Sequence, residues 1–326
     1  MILLCGNPAE PPMARALDAA ERAGADYLLF DQGQAADLEL DLRLDAKGDL
    51  SGVFRTPDLD VAIEDLTGIY ARALDGLEGK AAPLHARLYE MFELAPCRVA
   101  NRPGAMMTNQ SKPYQARLIQ QQGLDTPETL ITNDPGAVRA FAERCANDGD
   151  ELIYKSISGV RSIVEVLTPT RMQDLDRLAA CPVQFQRRVR GTDVRVHVIG
   201  EKLFAARIES EATDYRYARQ QVDARAELTP FTLPDDIADR CLAVSRALDL
   251  PFTGIDLCVT ANDEWFCFEA NPSPAYSFFE DETGLPIADA LIAWLRRDGA
   301  LPRCAYTKEP AALPAAATAV PSSGGE

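Results

Sequence analysis

The sequence has few of the residues on which many metal and redox sites depend. It contains two histidines, His85 and His197, and they are far apart in the chain. Its eight cysteines include no Cys-x-x-Cys pair, which argues against a zinc ribbon or a redox dithiol. A zinc-protease motif and a Ser-His-Asp triad therefore have little support. Cysteines placed singly in apolar stretches are typical of free thiols in a reducing compartment.

Long apolar runs and an excess of positive charge are also absent. No run approaches the roughly 18 apolar residues that span a bilayer. The first residues, Met1 to Gly6, lack the basic residues of a signal peptide. With 33 Lys and Arg against 50 Asp and Glu, the formal net charge is −17, and this field opposes a nucleic-acid backbone. We therefore expect a cytoplasmic protein that binds neither a membrane nor nucleic acid.

What is present is the composition of a globular enzyme, with 47% hydrophobic and 25% charged residues. A length of 326 residues allows two or three domains at about 100–200 residues each. Short apolar runs at 2–5 and 27–30 flank a helical pattern over 12–23. Strand, helix and strand at this spacing predict a parallel strand pair. We expect an α/β fold that begins with a small parallel unit in residues 1–100.

Signals after Asn101 divide the rest of the chain. In residues 101–189, Ser111 can cap a helix that begins at Lys112, and Asp134 can cap another with Pro135 at its first position. In residues 190–303, two strand pairs are separated by turn signals and accompanied by helical patterns. Residues 304–326 are dominated by Ala, Pro, Ser and Gly, which predicts a disordered tail.

The second strand pair of this last unit brings oxygen-bearing side chains together. If Asn262 and Asp263 form a two-residue turn, Asp256 faces Glu269, and Asn271 lies on the same face. Two carboxylates placed opposite each other repel unless a cation lies between them. Oxygen ligands without His or Cys suit Mg²⁺ or Mn²⁺. The alternative is an acidic strand that merely faces solvent, which the apolar residues at the intervening positions disfavour.

Magnesium bound by carboxylates usually contacts substrate phosphates as well, so a phosphate site is expected nearby. The sequence has neither a Gly-x-x-x-x-Gly-Lys-Ser/Thr motif nor a Gly-x-Gly-x-x-Gly motif. Lys155 is the best candidate, because it ends a predicted strand and precedes a turn with Ser158 and Gly159 whose backbone amides can face phosphate. A lysine that is simply solvated is the alternative.

The same features follow one another in the order of a known family. They are Asn-Gln-Ser-Lys-Pro-Tyr-Gln around Lys112, Tyr-Lys-Ser-Ile-Ser-Gly around Lys155, Gln-Arg-Arg-Val at 186–189, Gly-Thr-Asp-Val-Arg-Val at 191–196, Asp-Tyr-Arg at 214–216, Gly-Ile-Asp at 254–256 and Phe-Glu-Ala-Asn-Pro at 268–272. Over about residues 101–297 the chain resembles the ATP-grasp ligases. Within them it is most similar to the ribosomal-protein glutamate ligases and the ligases that crosslink microviridin-type peptides. The resemblance implies an ATP-grasp fold, in which an α/β domain precedes two α+β subdomains that clamp ATP.

The resemblance also implies roles for the matched residues. The implied phosphate ligands are Lys112, Lys155 and the turn with Ser158 and Gly159. The implied adenine hinge is Gln186, Arg187, Arg188 and Val189, in which backbone groups of Arg187 and Val189 would contact the adenine edge. The implied ribose contact is Asp193. Two Mg²⁺ or Mn²⁺ ions would be held by Asp256, Glu269 and Asn271. Arg207 and Arg216 would reach the γ-phosphate or an acyl phosphate.

The implied reaction is ATP-driven formation of an amide or, as the weaker expectation, of an ester. A carboxylate of a peptide, a protein or an amino acid attacks the γ-phosphate of ATP to give an acyl phosphate and ADP, and an amine or hydroxyl group then displaces phosphate. A non-catalytic ATP-binding regulatory module and a small-molecule phosphotransferase are the alternatives. The oligomeric state stays open, and a homo-oligomer is compatible with the sequence.

The loop after Lys155 departs from the family pattern. Relatives have a longer glycine-rich lid there, whereas residues 158–162 contain one glycine. Either this lid is small, or the segment 211–221 covers the phosphates instead.

Overall fold

The computed structural model describes residues 1–31, 39–56, 59–72, 81–156, 164–210 and 226–296. Several sequence predictions concern residues outside these ranges, namely Ser158, Gly159, Arg216, both candidate lid segments and the tail over 304–326. Within the described part of the chain, the strands form four sheets.

The N-terminal unit contains a parallel sheet. Its strands, in spatial order, are β2 (Tyr27–Asp31), β1 (Ile2–Gly6), β6 (Gly68–Arg72) and β7 (Arg98–Ala100). Its helices are α1 (Pro11–Arg22) and α2 (Ala81–Leu94). Ile2 pairs with Tyr27 in parallel, which confirms the predicted strand pair. Every residue of β1 is buried, as expected for a central strand of a parallel sheet.

The order of the strands reverses between β1 and β6. After β1 the chain crosses to β2 on one side, and it later enters β6 on the other side. Between them it forms an antiparallel sheet of β3 (Glu39–Leu44), β4 (Leu50–Arg55) and β5 (Asp60–Ala62). Gly6 and Arg72, at the carboxyl ends of β1 and β6, lie opposite each other. A crevice at the carboxyl ends of such a strand pair is a common ligand position in parallel sheets.

The central unit is a small antiparallel sheet covered by one long helix. Its strands, in spatial order, are β10 (Glu165–Val166), β9 (Leu152–Ser156), β11 (Val183–Arg187) and β8 (Thr129–Thr132). Its helices are α5 (Pro135–Asn147) and α6 (Pro169–Gln173). The Asp134 carboxylate accepts a hydrogen bond from the Gly136 N–H at 2.8 Å, which confirms the predicted cap of α5. Val138, Phe141 and Phe185 form its core.

The C-terminal unit is a larger antiparallel sheet. Its strands, in spatial order, are β14 (Glu227–Phe231), β13 (Lys202–Glu209), β12 (Thr192–Ile199), β15 (Phe252–Val259) and β16 (Trp265–Asn271). Helix α7 (Asp235–Ala247) covers one face, and α8 (Ser277–Thr283) and α9 (Ile287–Leu295) pack on the other. None of the helices within the described ranges has both the length and the apolar character needed to cross a membrane.

The segment between the N-terminal and central units packs with the C-terminal unit. It contains α3 (Pro103–Met106) and α4 (Lys112–Gln121). Ile119 of α4 is buried in the same core as α7 and the β12–β15 face. A second core joins β1 and α1 to Phe252, Tyr276 and the helix α9. The N-terminal and C-terminal units therefore share one apolar core, whereas the central unit has a core of its own.

A single buried asparagine also connects the N-terminal and C-terminal units. Asn101 is 3% exposed. Its amide nitrogen donates to the carbonyl oxygens of Phe252 at 2.5 Å and Pro272 at 2.6 Å, and its amide oxygen accepts from the Phe252 N–H at 3.0 Å. Asn101 thus fixes both the start of β15 and the residue that follows β16.

Asn101→Ala is expected to lower the free energy of unfolding by about 3 kcal/mol, because it leaves buried backbone groups without partners at about 1–3 kcal/mol each. Urea unfolding followed by circular dichroism measures this loss. Asn147→Ala, at the exposed end of α5, is the matched control and should change stability little. Equal stability of Asn101→Ala and wild type would contradict the assigned contacts.

Candidate active site

The hairpin of β15 and β16 brings the three predicted oxygen ligands together. Asp256 pairs with Glu269, and Gly254 pairs with Asn271, so the side chains of Asp256, Glu269 and Asn271 lie on one face of the sheet. The predicted pairing of Asp256 with Glu269 is therefore confirmed. The acidic pair is not on an exposed edge, because each carboxylate is about one-fifth exposed, 21% for Asp256 and 19% for Glu269.

The turn of this hairpin differs from the prediction. A two-residue turn at Asn262 and Asp263 is wrong, because Val259 pairs with Trp265 and the connecting loop is longer. A β-bulge between the pairs at Asp256 and Leu257 shifts the register. On the side of the bulge away from the turn, Asp256 therefore has its expected partner, Glu269. Bulges of this kind redirect side chains and are common next to active sites.

Two cations neutralise the two carboxylates. Lys112, at the start of α4, donates to Glu269 Oε2 at 2.7 Å and to Asn109 Oδ1 at 2.6 Å. Arg195 on β12 donates to Asp256 Oδ1 at 2.5 Å. Burial tends to raise the pKa of Glu269, but the charge and hydrogen bond of Lys112, together with the charges of Lys155 and Arg195, hold that pKa below its ordinary value. Glu269 is therefore ionised at neutral pH.

The salt bridge of Lys112 leads to a prediction about acid stability. A carboxylate with a lowered pKa contributes stability above its ordinary pKa of 4.5, and this contribution is lost as the pH falls through the lower folded-state value. In Lys112→Met the pKa of Glu269 should rise toward or above 4.5, so the fall in stability that this carboxylate causes on acidification should be smaller than in wild type. Urea unfolding at a series of acidic pH values measures the difference.

Lys202→Met, at an exposed position on β13, is the control for this series and should leave the acid profile unchanged. We also expect Lys112→Met to weaken ATP binding about 10-fold, the typical effect of losing a charge-assisted hydrogen bond. An unaltered acid profile in Lys112→Met would contradict the coupling between Lys112 and Glu269.

Arg195 was not among the predicted site residues, yet it forms an ion pair with Asp256. Its side chain is 6% exposed, and its guanidinium lies 5.6 Å from the ring centre of Phe279. Gly254 makes room for it, because a Cβ atom at that position would lie 2.1 Å from Arg195 Nη2. Burial and the neighbouring Arg195 charge hold the pKa of His197 well below its ordinary value, so this buried histidine is neutral.

Backbone contacts hold β16 in position around the oxygen ligands. The side chain of Gln115, which is 1% exposed, donates to the Ala270 carbonyl at 2.9 Å and accepts from the Ala270 N–H at 3.1 Å. Asn271 Oδ1 accepts from the Ser273 N–H at 2.9 Å. Gln115 and Ser273 were also missed by the sequence analysis. Gln115 fixes the residue before Asn271, and the Ser273 N–H fixes the side chain of Asn271 itself.

The residues present fit a divalent cation. Asp256 and Glu269 are adjacent, partly buried and ionisable, and each already requires a positive partner, Arg195 or Lys112. The set consists of two carboxylates and one amide. Among the residues that the structure describes, no three His, Cys, Asp or Glu side chains form a metal site by themselves. Oxygen ligands that leave positions open for other ligands are typical of Mg²⁺ in phosphate-binding sites.

The central sheet holds three of the predicted nucleotide ligands, Lys155, Gln186 and Arg187. Lys155 on β9 is close enough to influence the pKa of Glu269. Gln186 on β11 is buried, and its amide nitrogen donates to Thr129 Oγ1 at 2.9 Å. The Arg187 N–H donates to the Glu128 carbonyl at 3.0 Å. The Arg187 N–H is therefore already engaged, and half-buried Val189 lies beyond the end of β11.

The two hinge arginines are paired with carboxylates. Arg187 contacts Asp148 at 2.8 Å and Asp150 at 2.7 Å, and Arg188 contacts Glu151 at 2.6 Å. The hydrogen bonds to Asp150 and Asp148 raise the pKa of Arg187 above its ordinary value. These ion pairs connect the predicted adenine hinge to the loop before β9.

Asp193 and Arg207 lie on opposite faces of the C-terminal sheet. Asp193 shares the face of Arg195, two residues along β12, and burial together with the charge of Asp193 raises the pKa of Cys258 to about 12. Arg207 pairs with Val194, whose side chain belongs to the apolar core under α7. The exposed Arg207 side chain contacts Glu209 at 3.3 Å. The structure therefore does not bring Arg207 to the face of Asp256 and Glu269.

The fold and this site define a class of protein. A parallel α/β unit followed by two antiparallel units, with lysines from α4 and β9 near an acidic hairpin, is the ATP-grasp architecture. The family model described as the RimK-like ATP-grasp domain matches residues 109–295, and the chain belongs to this family. It is a ligase of the ATP-grasp type, which confirms the predicted fold and enzyme class.

Curated relatives and solved structures agree with this assignment. The chain is 25% identical over 224 residues to the ribosomal protein bS6–L-glutamate ligase of Shigella flexneri serotype 5b (strain 8401), covering 66% of this chain and 73% of the relative. It is 27% identical over 230 residues to the enzyme of that name from Escherichia coli O7:K1 (strain IAI39 / ExPEC), with the same coverage of each chain.

Two solved structures share almost the whole fold. The ATP-grasp ligase PsnB complexed with minimal precursor has a TM-score of 0.72 at 26% identity, covering 90% of this chain and 98% of that one. The macrocyclase MdnC bound with precursor peptide MdnA, from Microcystis aeruginosa MRC, has a TM-score of 0.74 at 20% identity, covering 91% of this chain and 100% of that one.

Proposed function

We propose that this chain activates a carboxylate of a peptide or protein with ATP and joins it to an amine. The observation that supports this most strongly is the meeting of Asp256, Glu269 and Lys112 on one face of the C-terminal sheet. A triphosphate with its cations needs this mixture of acidic and basic groups. The named substrates of the relatives, a ribosomal protein and precursor peptides, support a polypeptide substrate.

The reaction proceeds in two displacement steps. A carboxylate oxygen of the substrate attacks the γ-phosphorus of ATP, the bond from phosphorus to the bridging oxygen breaks, and an acyl phosphate and ADP form. The amine nitrogen then attacks the acyl carbon, phosphate leaves with the electrons of the broken carbon–oxygen bond, and the amine loses a proton to solvent. No protein nucleophile takes part. The enzyme positions its substrates and neutralises phosphate charge.

Each side chain of the site has a part in this positioning. Lys112 and Lys155 bind phosphate oxygens, Asp193 binds the ribose, and the backbone of the hinge contacts adenine. Asp256, Glu269 and Asn271 would hold Mg²⁺ or Mn²⁺, and we propose two ions. When bound, such cations neutralise charge on the transferred phosphoryl group. Arg195 holds Asp256 in place and lies behind it, away from solvent.

The remaining features of the proposal follow from charge and from thiol chemistry. A net charge of −17 disfavours nucleic acid as a partner. The free, buried Cys5, Cys97 and Cys145 suit the cytoplasm, where ATP is available. An amide is the expected product, and an ester from a hydroxyl nucleophile is the second candidate. Association into a homo-oligomer is compatible with this activity.

An ADP-release screen tests the proposal. The purified chain is incubated with ATP, Mg²⁺ and synthetic peptides that contain Glu or Asp, with and without single free amino acids, and products are identified by mass. An internal amide gives the peptide mass less one water, and ligation gives the summed masses less one water. A stable phosphorylated product would instead indicate a phosphotransferase, and ADP release at background with every peptide would indicate a regulatory module.

A further inference from the structure

A cleft opens where the N-terminal sheet meets the loop after β16. It lies at the carboxyl ends of β1 and β6, the position at which the strand order of the parallel sheet reverses. Its polar lining comes from Glu10, Arg72, Asn101 and Ser273, and Tyr89 and Phe92 supply apolar surface. A concave site with a few convergent polar groups on an apolar background is typical of a binding site for a small ligand.

Arg72 organises this cleft, and each of its three side-chain nitrogens already donates a hydrogen bond. Its side chain is 11% exposed. Nε and Nη2 donate to Glu10 Oε1 at 2.9 and 2.5 Å, and Nη1 donates to Ser273 Oγ and to the Pro274 carbonyl, both at 3.1 Å. The charge of Arg72 is already paired with the carboxylate of Glu10, so the guanidinium holds its neighbours in position and is not an open site for an anion.

Glu10 supplies the open hydrogen-bonding group. Both of its side-chain bonds to Arg72 end on Oε1, so within the described ranges Oε2 carries none of them. The carboxylate is 27% exposed, at the loop between β1 and α1. A half-buried carboxylate whose position is fixed by an arginine can accept a strong hydrogen bond from a protonated or neutral amine. The chemistry of the cleft therefore favours a primary amine.

The cleft is connected directly to the acidic hairpin. Ser273 accepts from Arg72 through Oγ, and its backbone N–H donates to Asn271 Oδ1 at 2.9 Å. Ser273 thus contacts both Arg72 in the cleft and Asn271, a proposed metal ligand. Through Arg72 and Ser273, an amine held at Glu10 would be connected to Asn271, on the hairpin where we propose that the acyl phosphate forms.

We infer that the cleft between Glu10, Arg72 and Ser273 is the subsite for the amine substrate, with Glu10 as the acceptor that holds its nitrogen. This inference rests on the proposed ligase function and adds the second substrate to it. Glu10 is a binding residue here, and Arg72 is a positioning residue that acts through it.

A binding experiment tests the subsite without requiring turnover. The full chain with ADP and Mg²⁺ is titrated with Nα-acetyl-lysine methylamide, and its Tm is followed. We expect a saturable rise in Tm for wild type and for Asp18→Asn, an exposed control on α1. The rise should be lost in Glu10→Gln and retained in Glu10→Asp. The Nε-acetylated probe, which lacks the amine charge, should produce no rise in any variant.

A second experiment assigns the subsite to one half of the reaction. Hydroxylamine is small, reacts with acyl phosphates in solution, and does not need a bound amine. With a Glu-containing peptide, ATP and Mg²⁺, Glu10→Gln should form the peptide hydroxamate at a rate close to wild type. With lysine-containing peptides as the nucleophile, its rate of amide formation should fall about 10- to 100-fold.

The outcomes separate failure of the subsite from failure of the proposed function. No rise in Tm with the amine in wild type, or the same rise in Glu10→Gln, overturns the amine subsite. Equal loss of hydroxamate and amide in Glu10→Gln would mean that the cleft binds the carboxylate substrate, which also overturns it. Absence of hydroxamate in wild type with every peptide refutes the ligase proposal, while the Tm experiment still decides whether the cleft binds an amine.

Discussion

Glu269→Gln is expected to abolish ADP release while the protein remains folded, with a fall in turnover of about 10²- to 10³-fold. Glutamine has nearly the same shape as glutamate, so the hairpin and the Gln115 contacts beside it are retained. It removes the negative charge that Lys112 neutralises at 2.7 Å and that a divalent cation would require. The site would then hold Lys112 without its counter-ion and only one carboxylate for the cation.

Steady-state ADP release with the peptide set, together with Mg²⁺ titration, measures this effect. The matched control is Glu264→Gln, an exposed residue at the loop of the same hairpin, which should keep full activity. Circular dichroism and the Tm of both variants check the fold. Normal turnover of Glu269→Gln would show that the cation is held elsewhere.

Arg195→Met is expected to be the most destabilising single change in the site, by about 3 kcal/mol. Its guanidinium is almost fully buried, and the substitution removes the positive charge 2.5 Å from the Asp256 carboxylate, which is 21% exposed. Breaking such a pair typically costs about 3–5 kcal/mol, and the partial exposure of Asp256 places the estimate at the low end. Methionine preserves much of the side-chain volume against Phe279, so the loss reports charge rather than packing.

A double-mutant cycle separates the loss of the Arg195–Asp256 charge interaction from the loss of packing. Arg195→Met with Asp256→Asn should be less destabilised than the sum of the two single variants, because neither side chain then carries a charge. Mg²⁺ should raise the Tm of Arg195→Met more than that of wild type, since the cation supplies the missing positive charge. Arg246→Met, which removes an exposed pair with Glu201, is the control and should cost about 0.5 kcal/mol. Additive single losses would contradict a direct Arg195–Asp256 interaction.

Residues close in sequence were the most predictable part of this protein. Strand alternation was enough to place Asp256, Glu269 and Asn271 on one face, although the turn itself was wrong and a bulge restored their register. The same alternation carried a signal that was not used. In β12, Asp193, Arg195 and His197 alternate with three valines, a pattern that marks a polar face opposite an apolar one.

The position of Arg207 could have been derived in the same way. The turn at Gly200 and Glu201 fixes the first hairpin, and this register places Arg207 opposite Val194. Val194 belongs to the apolar face, so a strand position facing away from the carboxylates followed from local pairing alone. The family resemblance had instead implied that Arg207 reaches the γ-phosphate or an acyl phosphate.

Contacts between distant segments could not be read from the sequence. Glu10 from the loop before α1 and Arg72 from the end of β6 meet Ser273, which belongs to the C-terminal unit. Gln115 reaches Ala270 from a separate helix. Each of these side chains also fits an ordinary surface position, and only the packing of the units shows what it contacts. Polar side chains in apolar surroundings are therefore the features for which structure adds most.

The separate core of the central unit has a mechanical consequence. The N-terminal and C-terminal units share apolar packing and the contacts of Asn101, so we expect them to form one rigid body. This body carries one half of the proposed nucleotide site. The central unit carries the other half, with Lys155 and the predicted adenine hinge. It has its own core and is joined to the rest where the chain passes from α4 into β8 and from β11 into β12, so we expect it to move as one unit. Binding and releasing ATP would then require rotation of the central unit at these two short connections. The core shared by the other two units and the amine cleft would stay unchanged.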